Sequence, residues 1–571
     1  MHKLPLTLLI LTGVFVCNCA GSSSTDPRCE GIDCSGHGKC VIESDQPRCL
    51  CDTGFREEGL ACIEEAGGAC DGVDCSGHGH CELSYDEAEC VCDTGYYEDQ
   101  LQCLADDQTG SWARTMASGG FDNGAADVAV DAAGNMFAIG SFESDADFNP
   151  SAGVDAFESQ GKTDIFITRL NADWSYGWTK VLAGAGENHG LRIVVDSSDN
   201  LYLTGTFQDS VDLDPGPGQD LHQSAGNSDM FIEKLDSSGE LVWNLVYSSS
   251  GIDFTRDLAI DAVGNVYLTG KIGMFDHPID FDPSSTVHEI DPADVQSWVF
   301  ITRINKDGTL GWVNFVDNSV SCDALSVHQD TLYLAGRVDT FSGTADMDPT
   351  DGEDITDRDG IYVTRLGLDG SYISSVITDV DSFSPDLGVD GSGNMIISGE
   401  SNQATDFDPG SGEDLRSCDK YPAAYVFKLD TSGNCPWARI WCKTEDFVEF
   451  GVNRVQADAA GNVYTALHHD SAIDLDPTSG EQLSAKYGFT IVVLGPDGAF
   501  QKAWEVGSDT AVTSGFGAIN GMVLDSQEKN LVAAGTSYSN GEDLDFDPSA
   551  GTEMHRYISK NNVFIWRLPL D

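Results

Sequence analysis

Positive charge is what this sequence has least of. Lys and Arg number 30 against 94 Asp and Glu, a formal charge of −64 over 571 residues. So acidic a chain repels nucleic acid and anionic membrane surfaces, which are themselves polyanions. It suits cations, basic partners or solubility in salty water. Long apolar runs are missing too. The longest, Leu6 to Val16, is 11 residues, too short to span a bilayer, so no transmembrane segment is expected. The chain also lacks a Gly-x-Ser-x-Gly elbow, a His-Glu-x-x-His pair, a phosphate loop and a dinucleotide fingerprint, which leaves no catalytic residue to name. Disorder is excluded by what is present: 40% hydrophobic residues, with 10 Trp, 16 Tyr and 26 Phe to build cores.

The N-terminus reads as an export signal over residues 1–21. His2 and Lys3 precede the short apolar run, and Cys19-Ala20-Gly21-Ser22-Ser23-Ser24 follows it. A Cys after an apolar run and before a Ser-rich linker (22–28) resembles a bacterial lipoprotein signal, although Asn18 stands where a small residue is usual. Two readings stand: lipidation at Cys19, or plain cleavage, for instance after Gly21. Either places the protein outside the cell, secreted or on the outer surface, with a lipid as its one membrane attachment.

Of 18 cysteines, 12 lie between residues 29 and 103, in two copies of one spacing. The first is Cys29, Cys34, Cys40, Cys49, Cys51 and Cys62; the second is Cys70, Cys75, Cys81, Cys90, Cys92 and Cys103. Six cysteines in so short a stretch mean a disulfide scaffold in an oxidising compartment, because the segment cannot bury enough apolar surface alone. Spacing leaves 15 connectivities open for each. The Cys-x-Cys pairs, the Gly54-Phe55 and Gly95-Tyr96 steps before the last Cys, and the repeated Asp-Cys-Ser-Gly-His-Gly (33–38 and 74–79) resemble EGF-like domains. That resemblance implies modules at 29–62 and 70–103, joined by a linker at 63–69. It also implies the pairs Cys29–Cys40, Cys34–Cys49, Cys51–Cys62, Cys70–Cys81, Cys75–Cys90 and Cys92–Cys103. Zinc is disfavoured because the Cys-x2-Cys spacing is absent. Calcium-binding EGF modules carry acidic residues before their first Cys, and here Pro27-Arg28 and Gly68-Ala69 stand there.

From residue 108 to 571 one pattern recurs every 60 to 71 residues. Its anchor is Asp-φ-Asp-Pro, with φ apolar. The seven copies begin at Asp147 (with Asn149), Asp212 and Asp214, Asp280 and Asp282, Asp346 and Asp348, Asp406 and Asp408, Asp474 and Asp476, and Asp545 and Asp547. Four β-branched or aromatic runs bounded by Gly, Asn and Asp surround each copy, which predicts four strands per repeat and a seven-bladed β-propeller. A fourth-strand Trp recurs as Trp178, Trp243, Trp312, Trp437 and Trp504, while copy four has Ile373 in that region instead. The seventh copy lacks a fourth strand, while a strand-like segment with Trp112 precedes the first copy. The segment Ser111 to Met116 is therefore expected to complete blade seven, closing the ring and removing two open edges.

The frame Asp-x-x-Gly-Asn-φ-Tyr-φ-Thr-Gly with Phe-φ-x-Lys/Arg-Leu resembles a bacterial extracellular β-propeller repeat family. The resemblance implies an extracellular scaffold and no particular ligand. The Asp-x-x-Gly-Asn turns (Asp131/Asn135, Asp196/Asn200, Asp261/Asn265, Asp390/Asn394, Asp458/Asn462 and the longer Asp525/Asn530) read as structural hairpins. The Asp-φ-Asp-Pro loops should lie on the face of the fourth-to-first-strand connections. Asp before Pro is a turn signal; the alternative reading is a Ca²⁺ rim built from the paired carboxylates. His468-His469-Asp470 reads as a surface cluster just after a strand. Cys418 and Cys442 should meet across the Asp430–Gly433 turn, leaving Cys322 and Cys435 without an obvious partner. The leading function is a non-enzymatic binding or adhesion scaffold for a protein or glycan, with an EGF-like stalk and no cofactor. The alternatives are a calcium-dependent adhesin and a propeller-fold glycosidase or lyase, which would need facing carboxylates in a deep central pocket.

Overall fold

A computed structural model describes strands within residues 38–105 and most of residues 113–570; the longest undescribed loop segments of the latter are 291–298 and 509–516. Residues 1–33, and with them Cys19 and Cys29, lie outside the described residues, as does Trp112. The described chain is all-β and divides into two units, Met1–Asp106 and Asp107–Asp571.

The N-terminal unit contains one pattern twice. Gly38–Glu43 pairs with Gln46–Cys51, and Phe55–Glu58 with Ala61–Glu64. The second copy pairs Gly79–Ser84 with Glu87–Cys92, and Tyr96–Asp99 with Gln102–Ala105. Cys34 and Cys49 form a disulfide with 5.6 Å between Cα atoms. Cys40, Cys75 and Cys81 are also disulfide-bonded.

The larger unit is a seven-bladed propeller. Blade one orders Gly124–Val130, Met136–Phe142, Asp164–Leu170 and Tyr176–Leu182 from bore to rim. Blade two repeats this with Asn188–Val195, Leu201–Phe207, Asp229–Leu235 and Leu241–Tyr247. Blade seven takes its first three strands from Gly517–Leu524, Asn530–Tyr538 and Asn561–Pro569. Its fourth is Ala113–Ser118, antiparallel to the third, from Trp566 opposite Ala113 to Asn561 opposite Ser118. The ring is closed by the N-terminal strand, as its unpaired sequence copy implied.

Seven apolar clusters hold the ring, one at each junction between blades. Second and third strands are buried on both faces, which explains their near-continuous apolar runs, such as Leu201–Phe207. In blades two, three and five the fourth-strand Trp staples the blade to the next. Trp243 Nε1 donates to Lys306 O (3.2 Å), Trp312 Nε1 to Leu368 O (3.0 Å) and Trp437 Nε1 to Pro496 O (3.0 Å). The ring of Trp243 lies under the third-to-fourth-strand turn of blade three, where Gly308 has φ +87°. A Cβ there would be both strained and 3.1 Å from the indole.

Two expectations about this Trp need correction. In blade six, Lys502 stands opposite Val493 at the Trp position, and Trp504 pairs two residues further on with Ile491. In blade four the position belongs to Ser374, opposite Arg365, and not to Ile373. Spacing by eye slips here because most fourth strands carry a bulge against the third.

Candidate functional site

The Asp-φ-Asp-Pro segments form a rim on the side of the fourth-to-first-strand connections, with Asp147 opposite Ala117 and Asp545 opposite Gly507, each near the end of a fourth strand. Each leaves the second strand and folds into a short hairpin, as in Asp145–Asp147 with Ala156–Glu158 and Ser210–Asp212 with Leu221–Gln223. The first of these adds to the outer strand of blade seven, Asp147 opposite Ala117, and makes a six-stranded sheet. The hairpin of blade seven does the same to blade six, with Asp545 opposite Gly507. These two hairpins thus cover part of the outer edges of blades seven and six.

The alternation within the segment explains its composition. Every φ residue is buried: Phe148, Leu213, Phe281, Met347, Phe407, Leu475 and Phe546. Each enters a different one of the seven clusters. The first Asp turns the other way and fastens the hairpin. Asp212 Oδ1 accepts from the amides of Asp214 (3.1 Å) and Asp220 (2.8 Å); Asp346, Asp406 and Asp474 repeat both bonds. Asp280 and Asp545 accept from the amides of Asp282 and Asp547. The second Asp caps the next turn: Asp214 accepts from Gly216 N, Asp348 from Thr350 N, Asp408 from Gly410 N and Asp476 from Thr478 N. These bonds account for Asp at both places without an ion. Among the described residues no three acidic, His or Cys side chains stand at metal-ligating distances.

The position nine residues after the first Asp went unnoticed in the sequence. It sits opposite that Asp in the hairpin and points outward. Leu221 is 62% exposed, Leu415 and Leu483 are 57% exposed, and Ile355 is 54% exposed. Isolated exposed leucines need no explanation, but one position exposed and apolar in four blades forms a pattern around the perimeter. Alignment of the copies on their first Asp would have shown it.

The bore presents charge. Successive first strands touch one another around the whole ring. A bulge in each of three first strands is followed by Asp127, Arg192 and Asp257, and irregularities further on by Asp386 and Arg454. Asp127 accepts from Ile193 N (3.0 Å), Asp257 from Leu325 N (2.7 Å) and Asp386 from Val455 N (2.7 Å). Each bond joins one blade to the next. Arg192 Nε lies 2.9 Å from Asp257 Oδ1. Burial pushes the Asp127 carboxyl up to about 6, with Arg192 and Arg454 pulling the other way. The arrangement works as an internal pin of alternating charge.

Other buried groups are tied to packing. His469 is buried inside the second strand of blade six, Val463–His469, and His468 is half-buried beside it; neither is a loose surface residue. His469 Nε2 lies 2.8 Å from Thr490 Oγ1, and burial lowers both imidazoles to about 4. A disulfide joins Cys418, in the loop before the third strand of blade five, to Cys442 at the end of the fourth. Cys322 and Cys435 are free thiols, each pushed up to about 12 by burial.

Asp229 and Asp253 give a pH prediction. Both are fully buried, and Asp229 Oδ1 has no hydrogen-bond partner. Burial raises both carboxyls, Asp253 to about 6 with Asp229 adding to it. An acid held above its unfolded value binds a proton that the unfolded chain has released, so the contribution of Asp253 is lost as pH rises through about 6 and that of Asp229 as pH rises above the usual carboxylate range. Asp229→Asn replaces the unpartnered oxygen with an amide. The variant is expected to melt above the wild type at pH 8 and together with it at pH 4. Calorimetric Tm across that range checks this; a gap independent of pH would refute it.

No protein-family model matches the chain. An uncharacterized WD repeat-containing protein of Acanthamoeba polyphaga mimivirus is 22% identical over 388 residues, 54% of this chain; the chain spans 28% of that relative's length. Among solved structures, U3-55K aligns with 80% of this chain and 98% of its own at 12% identity and a TM-score of 0.42. The WD40 repeats of RRP9 give 80%, 97%, 12% and 0.41, and polysaccharide lyase Uly1 gives 78%, 90%, 7% and 0.37. The fold is that of a β-propeller.

Proposed function

We propose that the chain is an extracellular binding scaffold whose propeller takes a protein partner at its rim, with the two N-terminal disulfide units as EGF-like stalk modules. The outward-facing Leu221, Ile355, Leu415 and Leu483 carry the reading, because hairpins whose task was only to cover an edge would gain nothing from exposed apolar side chains at one fixed position. The disulfide-bonded cysteines and the apolar run at residues 6–16 support export, since disulfides persist in oxidising compartments. Export leaves open an acyl chain on Cys19 as the means of holding the stalk at the outer surface. With a charge of −64 around the apolar positions, the fitting partner surface is apolar with basic residues at its edge.

The test is binding by the full chain to a panel of extracellular proteins and glycans. The expected result is a protein partner whose affinity falls at least tenfold when Leu221, Ile355, Leu415 and Leu483 are all changed to Ser, with Tm unchanged. Selective glycan binding unaffected by the four changes, or turnover of a polysaccharide abolished by one Asp substitution in the bore, would overturn the reading.

A further inference from the structure

The junction between blades seven and one holds a cavity of about 210 Å³, and a break in the repeat accounts for it. At one place near the start of the second strand, blades two, three, four and six carry Tyr202, Tyr267, Tyr333 and Tyr464. Tyr202 Oη donates to Asp196 Oδ2 in its own blade and to Gly264 O in the turn of the next, both at 3.2 Å. Tyr267 and Tyr464 donate to Oδ2 of Asp261 and Asp458 in the same way, at 3.1 and 3.2 Å. Blade five has Ile396, and there Lys428, opposite it on the third strand, reaches Asp390 Oδ2 at 2.7 Å. Blade seven has Val532.

The space beside the next blade's turn shows the difference. A Cβ on Gly264 would lie 3.6 Å from Tyr202 Oη, one on Gly393 3.2 Å from Tyr333 Oη, and one on Gly461 3.6 Å from Lys428 Nζ. Gly134 is the turn glycine that follows blade seven around the ring. Among the described residues, the one atom within 4 Å of a Cβ there is Ala172 Cβ, from its own blade. Arg567, opposite Val532, does not fill the gap as Lys428 does in blade five. Its Nη1 donates to Ala172 O at 2.8 Å, and its guanidinium lies 4.7 Å over the ring of Trp174. Trp174 has φ +67°, at the turn position where five other blades have Gly239, Gly308, Gly370, Gly433 and Gly498. A tryptophan in the left-handed region is strained. The ring it places beneath Arg567 draws that side chain off the Asp525 carboxylate.

We propose that this cavity binds a phenolic ring, seated as the tyrosines of blades two, three and six are, with its hydroxyl donating to Asp525 Oδ2 and Gly134 O and its ring against Val532. All three residues line the cavity. Asp525 Oδ1 accepts from the amides of Gln527 and Lys529 at 3.1 and 2.8 Å, and Oδ2 accepts from Asn530 Nδ2 at 2.6 Å. Asp196, Asp261 and Asp458 take the same Asn bond on Oδ2 and add the phenol to it. A cavity of about 150 Å³ is enough for a benzene ring, so the volume suffices. Lysine fills the matching place in blade five. Here Lys529 and Arg567 already balance Asp131 and Asp525 at the cavity wall, so a neutral hydroxyl donor fits better than a third cation. The site lies on the side of the first-to-second-strand turns, away from the Asp-Pro hairpins and the exposed apolar positions of the rim.

The experiment is a ligand-detected NMR titration of the full-length protein with p-cresol, the tyrosine side chain as a free molecule, beside toluene and benzylamine. Saturable binding of p-cresol is expected, at least tenfold tighter than that of either of the others. Val532→Tyr, which installs the residue of four other blades, should abolish that binding. Val532→Phe, with the residue of blade one, occupies the same space and serves as the test if the first variant folds poorly by circular dichroism. N-acetyltyrosinamide in the same titration separates the sources of the ring. Its binding marks a tyrosine carried by another protein, and binding of p-cresol alone marks a free phenol. No saturable binding of p-cresol, toluene or benzylamine bound as tightly, or p-cresol binding unchanged in both variants would overturn the site.

Discussion

Deleting residues 1–118 is expected to unfold the propeller, whereas deleting residues 1–106 leaves it folded. The longer cut removes the strand Ala113–Ser118 and with it the whole outer strand of blade seven. It also removes Ala113 and Met116, which are buried in the clusters on either side of that blade. The Asn561–Pro569 strand would be left with a bare edge, and the hairpin Asp145–Asp147 with no strand to join. Losing buried Met116 alone costs about 2–5 kcal/mol, a large part of the 5–15 kcal/mol that holds a typical domain together. Near-ultraviolet circular dichroism and Tm of the two proteins check this. Equal melting curves would show that the ring does not depend on its N-terminal strand.

The second large effect separates packing from surface chemistry within one motif. Phe407 is fully buried, with Tyr425 and Phe427 at 5.5 and 5.4 Å between ring centroids. Phe407→Ala is expected to cost about 3–5 kcal/mol, the usual range for a buried aromatic. Asp408, one residue on, caps the loop by accepting from Gly410 N at 2.7 Å. Asp408→Ala should cost about 1 kcal/mol, as for one hydrogen bond in a half-exposed turn. Urea unfolding of both variants gives the two values. A loss at Asp408 as large as that at Phe407 would mean the motif is held by its carboxylates.

The strand pattern, the blade count and the closure were legible because each is local and repeated. Val-Tyr-Leu-Thr-Gly names a buried strand in any blade, and seven copies of Asp-φ-Asp-Pro average out the exceptions. The direction taken by that motif was not legible. Its chain position fixes the face from which the loop departs, but pairing with the outer strand of the preceding blade is a contact between residues far apart, as between Asp147 and Ala117. The bore charges escaped for a related reason. Asp127 and Arg192 are ordinary polar residues in their strands until a bulge re-aims them. Val532 was visible as Val among Tyr at one strand position, but the cavity it leaves belongs to three dimensions.

Closure by the N-terminal strand also sets an order of events during synthesis. Ser118 is made early and pairs with Asn561, more than four hundred residues later. At about 5–20 residues per second the first strand waits some tens of seconds for its partner. Through that time the first six blades can stack while the ring stays open, and the apolar flank of blade one is bare. A chain that crosses a membrane before folding meets this delay with all of its strands already delivered, whereas one folding as it emerges must keep its earliest strand from pairing elsewhere.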